Sequence, residues 1–254
     1  MRTIDQFNFK NKKAIIRVDF NVPIDNNKVT DTSRIKASKQ TIDKVCNDGG
    51  SCVLVSHLGR PKGFQKEFSM TTIINEVENV LERNVVLSKD VIGPDAKKKS
   101  LDLKPKQVLL LENVRFHDEE KKGDIDFAKE LSLLADCYIN DAFGTAHRSH
   151  ASTTSITTFF NDKFFGKCLE REVNSIKKVL NSGKKPILAI LGGAKISSKI
   201  PILKNIIKIA DHIIVGGGMS FTFIKAMGGQ IGLSIHEDSM LDTAKEIMLS
   251  LIHI

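Results

Sequence analysis

Short runs of apolar residues alternate along the whole chain with segments whose apolar positions recur every three or four residues. The runs predict strands at Lys13–Val22, Ser51–Leu58, Asn84–Val91, Gln107–Asn113 and Cys137–Phe143. Between them, Thr32 or Ser33 is placed to cap a helix with Ile35, Ile42 and Val45 on one face, Ser69 to open a second with Ile73, Val77 and Leu81, and Asp124 to open a third with Phe127, Leu131 and Leu134. These five strands and their helices make a first unit, residues 1–165, which ends in a Ser/Thr- and Phe-rich connection over Ala151–Phe165. The amphipathic segment Leu169–Leu180 reads as an interdomain helix within 166–182, stopped by Asn181, Ser182 and Gly183. The alternation then restarts over 183–254 with strands at Pro186–Leu191 and His212–Val215 and helices at Ser197–Ile209, Ser220–Met227 and Asp238–Leu249. Alternating strands and helices predict an α/β fold with parallel, doubly wound sheets. Two strands are fewer than such a sheet needs to cover its faces, so the second unit reads as incomplete, with an uncapped apolar tail at Leu249–Ile254.

Composition narrows the class. Of 254 residues, 41% are apolar and 27% charged, enough to bury a core and too balanced for global disorder. No apolar run approaches the roughly 20 residues of a membrane helix, and the first twenty residues lack a signal-peptide pattern, so the expectation is a cytoplasmic protein with no membrane partner. Cys46, Cys52, Cys137 and Cys168 form no C-x-x-C pair and read as reduced core thiols. The net charge of +8 fits either a nucleic acid or a small polyanion. The run Lys97, Lys98, Lys99 has no interleaved aromatic residue, and one Tyr with no Trp leaves little for bases to stack on, so that run reads as a solvated loop and nucleic acid is not expected.

Parallel sheets bind ligands beyond the carboxyl ends of their strands, which makes those segments the place to look for chemistry. The first strand runs into Arg17-Val18-Asp19-Phe20-Asn21-Val22-Pro23, with Asp19 and Asn21 on one side by the period of two. Alone, this would be an edge turn ahead of a proline. The second strand runs into Ser56-His57-Leu58-Gly59-Arg60-Pro61, the fourth into Glu112-Asn113-Val114-Arg115-Phe116-His117, and the fifth into the segment Asn140–His150, which carries Arg148. With Arg34 at the opening of the first helix, a set of guanidinium groups and His57 is expected at one sheet edge. Guanidinium cannot shed its proton, so such a set is costly without an anion; it predicts a ligand with phosphate and carboxylate groups.

In the second unit, Leu191-Gly192-Gly193-Ala194-Lys195 follows one strand and Gly216-Gly217-Gly218-Met219 the other. Glycine turns let backbone approach a flat phosphorylated ligand, and helix N-termini favour its anions, so a nucleotide is expected at Gly193 and Gly218. Lys195 and Lys199, four apart, would face its phosphates from one helical turn. Neither a Walker A loop nor G-x-G-x-x-G is present.

The blocks RVDFNVP (17–23), SHLGRP (56–61), ENVRFH (112–117), NDAFGTAHRSH (140–150), GGAK (192–195) with Lys199, and GGGMSFTF (216–223) together resemble the phosphoglycerate kinase family, in that family's order. The resemblance implies two Rossmann-like domains joined by a hinge helix, the second truncated, and reversible phosphoryl transfer between 1,3-bisphosphoglycerate and ADP that gives 3-phosphoglycerate and ATP in glycolysis. It implies Mg2+ carried with ADP or ATP, and a monomer in the full-length form. By the same resemblance Asp19, Asn21, Arg34, His57, Arg60, Arg115 and Arg148 bind the acid, Gly193, Lys195, Lys199 and Gly218 bind the nucleotide, and Arg34 and Lys195 stabilise the transferring group. The alternative is a non-catalytic module that binds an anionic metabolite through the first unit alone.

Overall fold

The computed structural model describes residues 2–26, 28–182 and 184–252. Gly183, His253 and Ile254, which the sequence reading placed in a helix stop and in the tail, lie outside them. The chain divides into two compact units, Met1–Asn174 and Ser175–Ile254.

The first unit is built on a six-stranded parallel sheet in the order β5-β6-β4-β1-β7-β8. Its strands are β1 (Lys13–Arg17), β4 (Ser51–Val55), β5 (Val85–Leu87), β6 (Val108–Leu110), β7 (Cys137–Asn140) and β8 (Lys163–Phe165), and a two-stranded hairpin, β2 (Ile24–Asp25) and β3 (Lys28–Val29), follows β1. Helices α1 (Ser33–Asn47), α2 (Ile74–Leu81), α3 (Pro94–Asp102), α4 (Asp118–Lys122) and α5 (Ile125–Ser132) connect them. The sheet separates two apolar cores. Ile16, Leu54 and Ile139 face one with Ile35 and Ile42 of α1, while Ile15, Val53 and Leu109 face the other with Phe127 and Leu131 of α5. Burial on both faces is why these strands read as continuous apolar runs.

β8 is a sixth strand that the sequence reading had as part of a connection. It is an edge strand of three residues, with only Phe164 buried and Lys163 exposed, so it carries no run long enough to announce itself. The five strands predicted for the first unit are shorter than predicted at their carboxyl ends. Val18, Phe20, Val22 and Leu58 are buried although they belong to loops, because apolar patterning reports burial and not pairing. The lysines 97–99 are not in a loop. They lie in α3, which starts with Pro94 in its first turn, and they pair with acids: Lys97 Nζ with Glu130 at 2.6 Å and Lys99 Nζ with Asp95 at 2.7 Å. Thr32 precedes α1 without capping it; Asp31 Oδ1 accepts from the Ser33 amide at 2.8 Å instead. Asp124 caps α5 as expected, accepting from the Phe127 amide. Cys46, Cys52 and Cys137 are buried thiols, whereas Cys168 is only half-buried.

Helix α6 (Lys167–Ser182) begins in the first unit. The second unit holds β9 (Leu188–Gly192), α7 (Ile200–Ile206), β10 (His212–Gly216), α8 (Met219–Ala226) and α9 (Leu241–Ile252). β9 and β10 pair in parallel. Its core is small, gathering Ile196, Leu203, Met219, Phe223 and Ile247, while Leu188, Ile190 and Ile214 are about half exposed or more. Among the described residues no helix is long and apolar enough to cross a membrane.

Candidate functional site

The four strands that lead into the arginine-bearing segments are neighbours in the sheet: β6, β4, β1 and β7. Successive strands lie to one side of β1 until β7 returns on the other, and such a switch point is where parallel sheets hold ligands. Hydrogen bonds pin the loops that emerge there. Asn21 Oδ1 accepts from the Gly59 amide at 2.7 Å, and Ser56 Oγ from the Phe20 amide at 2.8 Å. Asn113 is fully buried; its Oδ1 accepts from the Leu58 and Arg115 amides, and its Nδ2 donates to the Leu58 and Phe68 carbonyls at 2.8 Å. Buried polar groups with all partners present have one low-energy arrangement, so the loops hold one shape.

The cations stand on this frame. Arg115 is 7% exposed and donates from Nη1 to the Gly59 carbonyl at 2.7 Å. It lines a cavity of about 330 Å3 together with Arg60, Lys62, Lys121, Arg148 and His150. Arg34, on α1, pairs with Asp19 at 2.6 Å, and both line a second cavity of about 280 Å3 with Asp141 and Gly144. Asn21 faces a third, of about 500 Å3, beside Leu58, Gly59 and Phe68. Of the seven residues read from the sequence, the structure thus groups Arg60, Arg115 and Arg148 on one cavity and Asp19 with Arg34 on another. His57 lines none of the three and is 3% exposed.

His57 nevertheless links the groups. Burial first, and then the charges of Arg17, Arg115, Arg148 and Arg34, push its pKa down from 6.5 to about 2. It is therefore a neutral ring at any physiological pH. Arg17 Nη2 lies 3.2 Å from His57 Nδ1, and guanidinium only donates, so Nδ1 accepts and the ring proton is on Nε2. Burial, Arg148 and Arg17 similarly depress Arg115. Three arginines and two lysines line the cavity of about 330 Å3 with no acid among the lining residues, an excess of positive charge suited to an oxyanion.

The sequence reading missed Arg17, Glu120 and Ser152. Arg17, at the last position of β1, is 1% exposed, and Glu120 in α4 is fully buried. Burial alone would raise the Glu120 carboxyl, but the His150 ring 3.5 Å away, the charge of Arg17 and the hydrogen bonds from Ser152 hold it below its usual range. An arginine inside the apolar run Lys13–Arg17 was the available signal, whereas Glu120 sits in the charged stretch Asp118–Lys122 and reads as solvated.

Asp141, just past β7, is buried with Oδ2 unpartnered, while Oδ1 accepts from the Cys168 amide at 2.8 Å at the start of α6. Burial pushes its carboxyl up to about 7, against hydrogen bonds from Thr41, Leu169 and Cys168. A native acid pKa above the unfolded value means that the folded state binds more protons between about pH 4 and 7, so stability from this group falls as pH rises through that window. His57 acts in the opposite sense, since the unfolded state binds its proton between about 2 and 6.5. In Asp141→Asn the falling component should vanish: the drop in Tm from pH 5 to pH 8 should be smaller than in the parent protein, by calorimetry. Equal drops would refute it.

In the second unit Gly192 is paired with Gly216, so the two glycine turns adjoin, and the Met219 amide donates to the Gly193 carbonyl at 2.8 Å. Gly217 has φ +69°, and a Cβ there would stand 3.0 Å from the Gly193 carbonyl oxygen; neither the backbone nor the space suits another residue. Gly218 precedes α8. Lys195 and Lys199 are not on one helical turn as the sequence suggested. Pro201 belongs to the first turn of α7, which starts at Ile200; Lys199 closes the turn before it, over 197–199, and Lys195 lies in irregular backbone ahead of that turn. Ser197 in that turn is held by Glu237 through its amide at 3.0 Å and its hydroxyl at 2.6 Å.

The family model for phosphoglycerate kinase matches residues 4–252. The chain is 47% identical over 272 aligned residues to a phosphoglycerate kinase of Porphyromonas gingivalis, covering 97% of this chain and 65% of that protein. It is 45% identical to one from Chlorobium chlorochromatii, covering 97% and 63%. The structure of phosphoglycerate kinase from Coxiella burnetii superposes with a TM-score of 0.83 at 34% identity, over 99% of this chain and 63% of that one. The chain thus spans somewhat under two thirds of the length of these relatives.

Proposed function

The chain belongs to the phosphoglycerate kinase family, and from that premise we propose that its first unit is the site for 3-phosphoglycerate and 1,3-bisphosphoglycerate, and that the second takes ADP or ATP. The reaction proposed is reversible phosphoryl transfer between the acyl phosphate and ADP, a step of glycolysis. The observation that carries the reading is the lining of one cavity by Arg60, Arg115 and Arg148 beyond the strand ends, with Arg17 held against the buried His57 beside it. Guanidinium binds carboxylate and phosphate oxygens in pairs, which suits a small acid carrying both.

Phosphoryl transfer asks for in-line positioning and charge stabilisation, with no covalent intermediate on the protein. Arg60, Arg115 and Arg148 are assigned to the acid's anionic groups, and Asp19 and Asn21 to its orientation. Asp19 already fixes Arg34 at 2.6 Å, so that guanidinium is preset for developing charge on the phosphoryl group. In the second unit the adjoining turns at Gly193 and Gly218 are assigned to the nucleotide, with Lys199 on its phosphates and Lys195 on the transferring group. Among the described residues no cluster of three or more His, Cys, Asp or Glu could hold a metal ion. Magnesium is proposed to arrive held by the nucleotide, as family membership suggests, and no step is routed through it. A cytoplasmic location and a monomeric state of the whole protein belong to the same proposal.

Titration calorimetry with 3-phosphoglycerate tests the assignment, with a coupled ATP assay on the same sample. Arg148→Ala should weaken the acid by roughly tenfold to a hundredfold, the loss of a charge-assisted contact of about 1.5 to 3 kcal/mol. Unchanged affinity would remove Arg148 from the site. Binding of the acid with no ATP formation would favour the metabolite-binding alternative.

A further inference from the structure

Two of the most deeply buried charges of the first unit, Arg17 and Glu120, line none of the three cavities. Arg17 closes β1 at 1% exposure, Glu120 is fully buried in α4, and Ser152 stands between them. The Ser152 hydroxyl donates to Glu120 Oε1 at 2.7 Å and accepts from Arg17 Nε at 2.9 Å, while the Ser152 amide donates to Glu120 Oε2 at 2.8 Å. Arg17 Nη2 completes the chain at His57 Nδ1, 3.2 Å away. Every link has a fixed polarity. Guanidinium has no acceptor, and the hydroxyl has one proton, which Glu120 takes.

We propose that Glu120 is a positioning residue for His57: acting through Ser152, it holds the Arg17 guanidinium against Nδ1 and so fixes the imidazole as the Nε2–H tautomer, a donor for an oxyanion of the bound acid. The use of that donor rests on the reading of the site as a phosphoglycerate site; the fixing of the tautomer does not.

The chemistry singles out a carboxylate. Ser152 presents two donors, its amide and its hydroxyl, and only a carboxylate offers one acceptor oxygen to each. Glutamine has a single acceptor oxygen. Its amide nitrogen would meet either the Ser152 amide, also a donor, or the hydroxyl, which would have to turn and lose its alignment with Arg17. What happens next at His57 follows from its other neighbour. Asp19 Oδ1 lies 3.9 Å from Nδ1, beyond hydrogen-bonding distance while Arg17 is in place. Once Arg17 swings away, Asp19 is the nearest acceptor, and it draws a proton to Nδ1.

The test reads the ring nitrogens of the full chain without ligand at pH 7, by 15N-labelled imidazole NMR, with the His57 signals identified by their loss in His57→Gln. The parent protein should show the proton on Nε2 and a bare Nδ1. In Glu120→Gln most of the His57 population should carry a proton on Nδ1. Ser152→Ala removes the same bridge without removing a charge, so it carries the test should Glu120→Gln not fold, and the same change is expected. The double variant should move His57 no further than either single one, because both cut one chain. Calorimetry with 3-phosphoglycerate should show affinity lower by roughly threefold to tenfold in both variants, the worth of one neutral hydrogen bond. A parent protein with its proton on Nδ1, or folded variants whose His57 is unchanged, would overturn the positioning role. The expected tautomer changes in a parent protein that does not bind 3-phosphoglycerate would leave the positioning role standing and overturn the reading of the site.

Discussion

In native-state hydrogen exchange, the amides of β1, β4 and β7 are expected to outlast those of β9 and β10 by about a thousandfold or more. Residues 14–16 of β1 and 52–54 of β4 are fully buried between two apolar layers. In β9 and β10 the outward residues Leu188, Ile190 and Ile214 are 52%, 70% and 49% exposed, and among the described residues the strands pair only with each other. Local opening costs range from near zero up to the global stability of about 5 to 15 kcal/mol, and each 1.4 kcal/mol is about tenfold in exchange. A two-stranded sheet with one bare face belongs near the low end. Comparable protection in the two units, measured on the full chain by mass spectrometry, would mean that something in solution covers Leu188 and Ile190.

The second large effect is expected at Arg17. Arg17→Met keeps the linear stem but takes from the buried Glu120 carboxylate the guanidinium that Ser152 bridges to it, leaving the His150 ring at 3.5 Å as its ion-pair neighbour. Breaking such a pair typically costs roughly 3 to 5 kcal/mol, or about 10 °C in Tm for a protein of this size. The loss should shrink on acidification, since an uncompensated Glu120 can then be protonated and its burial no longer penalised. Arg17→Met combined with Glu120→Leu should recover much of the stability, because a buried pair replaced by apolar groups is often close to neutral. A double variant as unstable as the sum of both single ones would show that Arg17 and Glu120 act independently.

Much of this architecture is legible in the sequence, for a physical reason. Strands buried on both faces must be apolar throughout, and Ile15, Ile16, Val53 and Leu54 stand out accordingly. The segments beyond them are legible because arginines recur there after successive strands, where a core has no use for them. Other features depend on distance. Nothing near Glu120 announces that Ser152 and Arg17 will enclose it, and the charged stretch Asp118–Lys122 reads as solvated even though Glu120 is its one fully buried member. The enclosure of His57 behind the arginines is a similar case, since nothing in the segment Ser56–Pro61 announces that Arg17, forty positions earlier, will stand against its ring. Local pattern also misplaced the two lysines: the spacing of Lys195 and Lys199 suits a helix, but Pro201 sets where the helix begins.

The edge of the large sheet has a bearing on how the chain is made. Phe165 of β8 takes up the Arg2 carbonyl through its amide at 3.0 Å and bridges to Thr3, the Arg2 guanidinium lies over the Phe164 ring, and Lys167 pairs with Asp5. Residues 2–5 are thus fastened by residues synthesised some 160 positions later. At about 5 to 20 residues per second that is a wait of roughly ten to thirty seconds. β1 spends that interval without β7 beside it, since the strand at Cys137–Asn140 also emerges late. The nascent sheet therefore grows outward in one direction first, through β4, β5 and β6, and its arginine-lined edge is assembled near the end of the unit's synthesis. For as long as that lasts, the amino-terminal segment and the open side of β1 are exposed to whatever binds unfinished chains.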